Sequence, residues 1–160
     1  MELDELWDYV IKATGVSLQG IHGPRHWARV ERNGLLIATT NGGNPDLVSL
    51  FALFHDCQRV NDHIDPGHGT RGARYARKIR DRIPQIDDLD LELLYEACEG
   101  HTDIHHHDNP TIQACWDADR LDLPRVGMIP SSMYLNTELA KKLADSGDLD
   151  ILDEQPIRRF

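Results

Sequence analysis

Long apolar runs are missing from this chain. No stretch approaches the roughly 20 consecutive apolar residues that a membrane span needs, so no membrane contact is expected. Cysteine is scarce as well. Cys57, Cys98 and Cys115 make an odd count with no CxxC spacing, which excludes a disulfide framework and a thiolate zinc site. They read as small buried apolar residues. Positive charge is in short supply: 17 Lys and Arg stand against 27 Asp and Glu, a net charge of −10, which excludes a general surface for a nucleic acid polymer. A small phosphorylated substrate remains compatible with that balance. Screening acts over about 8 Å, so a local cluster of metal and arginine can outweigh distant acids. Internal repeats, low-complexity linkers and strand-type alternation are also absent.

What is present describes one globular domain over residues 1–160, with a core over about 20–127 and a C-terminal helix and tail over 131–160. The hydrophobic content of 40% is enough to bury a real core without staples. The opening MELDELWDYVIKATG is acidic and periodic, unlike a secretory or mitochondrial leader, so a cytoplasmic protein is expected. Histidine is the outlier of the composition: nine residues, all of them between 22 and 107.

Helical periodicity recurs along the chain. A first helix is expected from about Leu3 to Ala13, stopping at Gly15. A second opens at Gly23-Pro24 and ends at Gly42-Gly43, with proline where a missing N–H costs nothing. Asn44-Pro45-Asp46 caps a third, in which Val48, Phe51, Ala52 and His55 follow i, i+3, i+4, i+7 spacing. After a turn-rich loop from Asn61 to Gly67, a basic helix spans about His68 to Arg82 and closes at Pro84. Asp87-Asp88 starts another, ending at Gly100-His101. Asp108-Asn109-Pro110 starts the next, through Trp116 and Asp119 to Leu123. A last helix spans about Ser131 to Ala144, followed by a loose tail. The fold expected is all-α, a bundle of about seven helices.

Several histidines and acids sit at helix ends or on apolar faces. His26 lies in the first turn of the second helix, and His55 continues the apolar stripe of the third, so its ring should point inward. Asp56 follows one step around the same helix. Asp117 and Asp119 lie beside Trp116 and Leu121. A carboxylate on a buried face is costly unless it is paired or bound to a metal. Imidazole and carboxylate together are the donors that Zn, Mn, Fe or Ni sites use.

Taken in order, His26-Trp27-Ala28-Arg29-Val30, the LFALFHD string ending in His55-Asp56, and Ala118-Asp119-Arg120-Leu121 resemble the HD-domain superfamily of metal-dependent phosphohydrolases. The resemblance spans Gly23 to Arg125. It implies an HD-type helical bundle, a divalent metal (Mn, Zn, Ni, Fe or Mg) held by His26, His55, Asp56 and a late aspartate, and hydrolysis of a nucleotide or other small phosphate ester. DADRLD offers Asp117, Asp119 and Asp122. Asp117 and Asp119 point about 200° apart on a helix and cannot share one ion. The likeness of ADRL to alarmone hydrolases favours Asp119, with Asp122 as its support. His68, before GTRGARYA, and His101-Thr102 resemble the two further histidines of six-ligand members. With them the pattern becomes H…HD…H…H…D, holding two ions with Asp56 as the bridge; without them, His68 and His101 would contact substrate or donate a proton beside one ion. The GYP triplet of cyclic-dinucleotide hydrolases is absent.

The chemistry implied is attack by a metal-activated water, with Asp56 orienting it and taking its proton, and His68 or His101 protonating the leaving group. Arg59 and Arg71 are the favoured phosphate contacts, ahead of Arg25 and Arg74; Arg120 is expected to point away. His22 is placed as a partner of His26, and His63 as solvated loop. The His105-His106-His107 run is a loop that would bind metal only adventitiously. Two alternatives use the same scaffold: a di-iron oxygenase and a non-catalytic metal-stabilised binding module. A homodimer is plausible from sequence alone.

Overall fold

The computed structural model describes residues 1–84 and 86–160. Eight α-helices follow one another: α1 Leu3–Thr14, α2 Pro24–Asn41, α3 Pro45–Phe54, α4 His68–Lys78, α5 Asp88–Gly100, α6 Pro110–Arg120, α7 Glu138–Ser146 and the single turn α8 Asp150–Asp153. No strand is present among the described residues, so the fold is an all-α bundle. Among the described residues, no helix is long and apolar enough to cross a membrane.

Local chemistry explains the boundaries. Asn44 and Asn109 each accept two backbone N–H bonds at the start of α3 and α6, and each is followed by a proline at the first helical position. Asp87 caps α5 through the N–H of Asp90, and Gly15 and Gly42 close α1 and α2 in the left-handed conformation.

The long α2 is the spine of the bundle, packing along both α3 and α6, while α4 packs along α5. Its inward face carries Trp27, Val30 and Ile37. α3 is buried almost throughout, with Phe51 and Phe54 fully enclosed. Burial of side chains this size stabilises by about 1.5–3 kcal/mol each. Two glycines set how closely α4 approaches its neighbours. A Cβ on Gly69 would lie 2.1 Å from the carbonyl oxygen of Cys98, and one on Gly72 would lie 2.0 Å from that of Phe54. Gly72 lies one turn from His68 on the same face and Gly69 one step around, so backbone contacts with α3 and α5 fix where that histidine stands. Cys57, Cys98 and Cys115 are buried, and burial raises all three thiols above their ordinary range.

The C-terminal region departs from expectation. The helix expected over 131–144 is a short 3₁₀ turn at Ser132–Tyr134 followed by α7, because Thr137 caps α7 through the N–H of Ala140. The helix expected to reach Leu123 ends at Arg120, and a 3₁₀ turn Leu123–Val126 follows. The tail expected to be loose is docked. Arg158 pairs with buried Glu31 and with Asp4, Phe160 stacks on Trp7, and Asp153 of α8 pairs with Arg32.

Candidate metal centre

Five helix ends and one turn meet at a cleft of about 820 Å³, which Asp56, His68, His101 and Asp119 line, with His26 and His55 fully buried beneath. His26 enters from the first turn of α2, His55 from the C-cap of α3, His68 from the first residue of α4 and His101 from the C-cap of α5. Asp119 comes from the last turn of α6. Asp56 lies just past α3, in the turn that follows it, rather than on the helix face expected for it. His26, His55, Asp56, His68 and His101 are all buried.

Asp56 is the centre of the arrangement. Its Oδ2 lies 3.6 Å from both His26 Nε2 and His55 Nε2. Its Oδ1 faces the other way, 3.2 Å from His68 Nε2 and 3.7 Å from His101 Nε2. Asp119 Oδ1 joins the first group, 3.2 Å from His26 Nε2 and 3.7 Å from His55 Nε2. Two clusters that could each hold a metal ion, His26-His55-Asp56 and Asp56-His68-His101, therefore share one carboxylate.

The outer nitrogens of the rings fix their state. His55 Nδ1 donates to the carbonyls of Phe51 and Ala52, His68 Nδ1 to that of Asp65, and His101 Nδ1 to that of Cys98. A carbonyl only accepts, so each Nδ1 carries hydrogen and each neutral ring turns a lone pair inward from Nε2. His26 Nδ1 is matched by Asp122 Oδ2 at 2.7 Å, with the same consequence. Inward-facing Nε2 atoms stand only 3.1 Å apart in each group, His26 against His55 and His68 against His101. Asp56 Oδ1 is buried and has no hydrogen-bond donor. A ring of acceptors facing acceptors is unfavourable until a cation enters it. The residues present therefore fit a divalent ion, and their imidazole and carboxylate donors suit Zn, Mn, Fe or Ni.

Without an ion, carboxylates and protons offset one another at these atoms. Burial opposes ionisation of Asp119, but contact with His26 and the charges of neighbouring histidines hold its carboxyl well below the usual range. Burial also opposes charge on Asp56, yet the surrounding imidazoles, His55 foremost, keep it ionised. Burial works against a proton on His26 and His101, and the nearby carboxylates overcome it, raising both. Burial wins outright at His55, which is pushed down to about 3.

The remaining candidates sort by contact. Asp117 faces away from the cluster and accepts from the N–H groups of Asn136 and Thr137, anchoring the start of α7. Asp122 braces His26 rather than Asp119, and also accepts from Arg29 Nε. His22 pairs with Asp56 Oδ2 at 3.0 Å, not with His26. Arg59 reaches the cleft, its Nη1 lying 3.6 Å from Asp56 Oδ1. Arg71 does not line it: its guanidinium is spent on Asp65 and on the carbonyls of Gln58 and Pro66, tying together the loop before α4. Arg25 and Arg74 are exposed outside the cleft. Arg120 turns its donors to the carbonyls of His101, Ile104, His105 and Tyr134, holding the loop after α5. His63 lines the cleft mouth, while His105, His106 and His107 lie outside it, with His107 bound to Glu96. Arg125 is a cleft residue that sequence reasoning missed. It donates to the carbonyls of Ile21 and Asp122 and approaches His22. Nothing in the DLPRV string signals that placement.

Compared with known protein families, with curated proteins and with solved structures, the chain matches none.

Proposed function

We propose that the protein is a metal-dependent phosphohydrolase of the HD type, acting on a nucleotide or another small phosphate ester. The observation that carries this reading is the pair of buried His/Asp clusters sharing Asp56, open to one cleft that Arg59 and Arg125 also line. In this reading His26, His55, Asp119 and Asp56 hold one ion, and Asp56, His68 and His101 a second. Such ions supply Lewis-acid chemistry, drawing the pKa of water towards neutrality and offsetting charge on phosphoryl oxygens. The chain's own residues do the positioning. Asp56, which lines the cleft, orients the attacking water and accepts its proton, and His22 hydrogen-bonds the same carboxylate. Arg59 and Arg125 receive the phosphate, for which planar guanidinium groups suit better than lysine. Because the Nε2 atoms of His68 and His101 both face Asp56, we assign them to the second ion in preference to leaving-group protonation.

The shared carboxylate also supports a second reading, a di-iron oxygenase on the same six donors. One experiment separates the possibilities: elemental analysis of purified protein, a visible spectrum, and turnover on a panel of nucleotides and phosphomonoesters, with Asp56→Ala as control. Hydrolysis requires bound Mn, Zn, Ni, Fe or Mg and release of phosphate or pyrophosphate, both lost in Asp56→Ala. Two irons per chain with visible absorption would select the oxygenase. Metal without turnover on any substrate would select a binding module, and a wild-type protein free of metal would overturn the centre itself.

A further inference from the structure

Arg59 occupies an unusual place for a phosphate contact. Its Nη1 lies 3.1 Å from both ring nitrogens of His68, so it rests across the face of the ring, and 3.6 Å from Asp56 Oδ1. The side chain is held there. Nη2 donates to the carbonyl of His63 and Nε to that of Asn61, which fold the loop between α3 and α4 around the guanidinium. Arg59 is thus the fixed positive charge closest to the Asp56-His68-His101 half of the cluster. On the His26-His55 side, among the described residues, Arg29 and Arg125 reach Asp122 behind His26, and Arg125 also approaches His22; neither guanidinium rests on a ligand ring as Arg59 does on His68.

An ion bonded to His68 Nε2 at about 2.1 Å would lie within about 5 Å of that Nη1. Two cations so close, in a site this buried, repel strongly. An anion bound by Arg59 removes that repulsion. Resting on the metal-centre reading above, we infer that Arg59 is an electrostatic gate on the second ion: it keeps the His68-His101 side weak until a phosphate group engages its guanidinium. The two halves of the centre are then unequal, and phosphate and second-ion binding are positively linked. Linkage requires the effect to be reciprocal, each tightening the other by the same factor.

The test is a titration of the full-length, metal-stripped chain with Mn²⁺, followed by calorimetry and by EPR. Two Mn²⁺ ions sharing one carboxylate give an exchange-coupled signal that an ion on the surface histidines does not. Wild type, Arg59→Met and Arg71→Met are each titrated with and without inorganic phosphate, after circular dichroism confirms the fold. Arg71→Met loosens the same loop without removing the charge beside His68. In wild type the second ion is expected to bind at least about tenfold more weakly than the first, a gap that phosphate narrows. In Arg59→Met the gap shrinks without phosphate, and phosphate adds less; Arg71→Met behaves as wild type.

Two ions of equal affinity in wild type would overturn the gate while leaving the metal centre intact. So would a second ion unchanged by Arg59→Met, or a gap that Arg71→Met closes equally well. No Mn²⁺ bound by any variant would overturn the centre and the gate together.

Discussion

Asp122 Oδ2 lies 2.7 Å from His26 Nδ1, and the same carboxylate takes the Nε–H of Arg29 at 2.8 Å through its other oxygen. This contact fixes which nitrogen of His26 carries hydrogen and therefore which one faces the cluster. Outer carboxylates of this kind orient a ligand histidine and raise its basicity. Asp122→Ala should lower metal affinity by about 10–100-fold with little change in helicity, and Asp122→Asn, which can still accept from Nδ1, should lose less. Competition with a fluorescent chelator measures the change. Equal affinity in wild type and Asp122→Ala would show that His26 needs no brace.

Asp117 and Asp119 are two residues apart and separable by experiment. Asp117 accepts from four donors of Asn136 and Thr137, two backbone N–H groups and two side-chain groups. Asp117→Ala should therefore destabilise the fold by about 2–3 kcal/mol while the folded protein still binds metal. Asp119→Asn should do the reverse, abolishing tight binding at the His26-His55 side while perturbing metal-free stability less. Urea unfolding and metal analysis of the two variants decide the matter; the opposite pattern would exchange their roles.

How much of this was legible beforehand depended on whether a signal was local. Helix starts at Asn44-Pro45 and Asn109-Pro110 are written in consecutive residues, because a cap and its N–H partners lie within one turn. The inward turn of His55 followed from the apolar stripe of α3. The break at Leu121 was not readable from periodicity, and it carries Asp122 off the α6 helix and under His26, 96 positions away in sequence. Arg71 looked like a phosphate ligand because it lies near His68 in the chain, yet its partner Asp65 consumes it. Thr137, as a cap, was a local signal present in the sequence and overlooked. The docking of Arg158 on Glu31 is long-range, and nothing near either residue announces it.

Gly72 makes a sharper stability test than any large core residue. An added Cβ would meet the Phe54 carbonyl oxygen at 2.0 Å, and backbone cannot step aside as a flexible side chain would. Alanine favours helices by up to about 1 kcal/mol over glycine, but overpacking of this severity costs about 1–3 kcal/mol. Gly72→Ala should therefore lower Tm by several degrees and weaken metal binding through His68, four residues away on the same face. Arg74→Ala, on the exposed side of α4, should stay within about 0.5 kcal/mol of wild type. A Gly72→Ala protein as stable as wild type would mean that α4 sits further from α3 than described.

The histidines also predict how the metal-free protein responds to pH. His55 is buried against Phe51, with ring centroids 4.9 Å apart, and burial pushes its pKa down to about 3. Unfolded, the same side chain titrates near pH 6.5. Between those values the unfolded chain takes up a proton that the folded chain refuses, so stability falls as pH falls, by up to about 1.4 kcal/mol per pH unit. His26 and His101 act in the opposite direction. Their raised pKa values add stability that is fully present below about pH 6.5 and is lost as pH rises through their folded values. Stability of the chelated protein should therefore pass through a maximum near neutrality. Urea unfolding in EDTA between pH 5.5 and 8 measures both limbs, and stopping at pH 5.5 keeps ordinary carboxylates ionised. His55→Asn should flatten the acid limb and leave the alkaline one. Metal should abolish the alkaline limb and steepen the acid one, because an ion keeps the inward nitrogens free of protons in the folded state alone. If chelated wild-type protein is equally stable at pH 6.5 and 5.5, His55 accepts its proton in the folded state, and the ring is not enclosed as its contacts require.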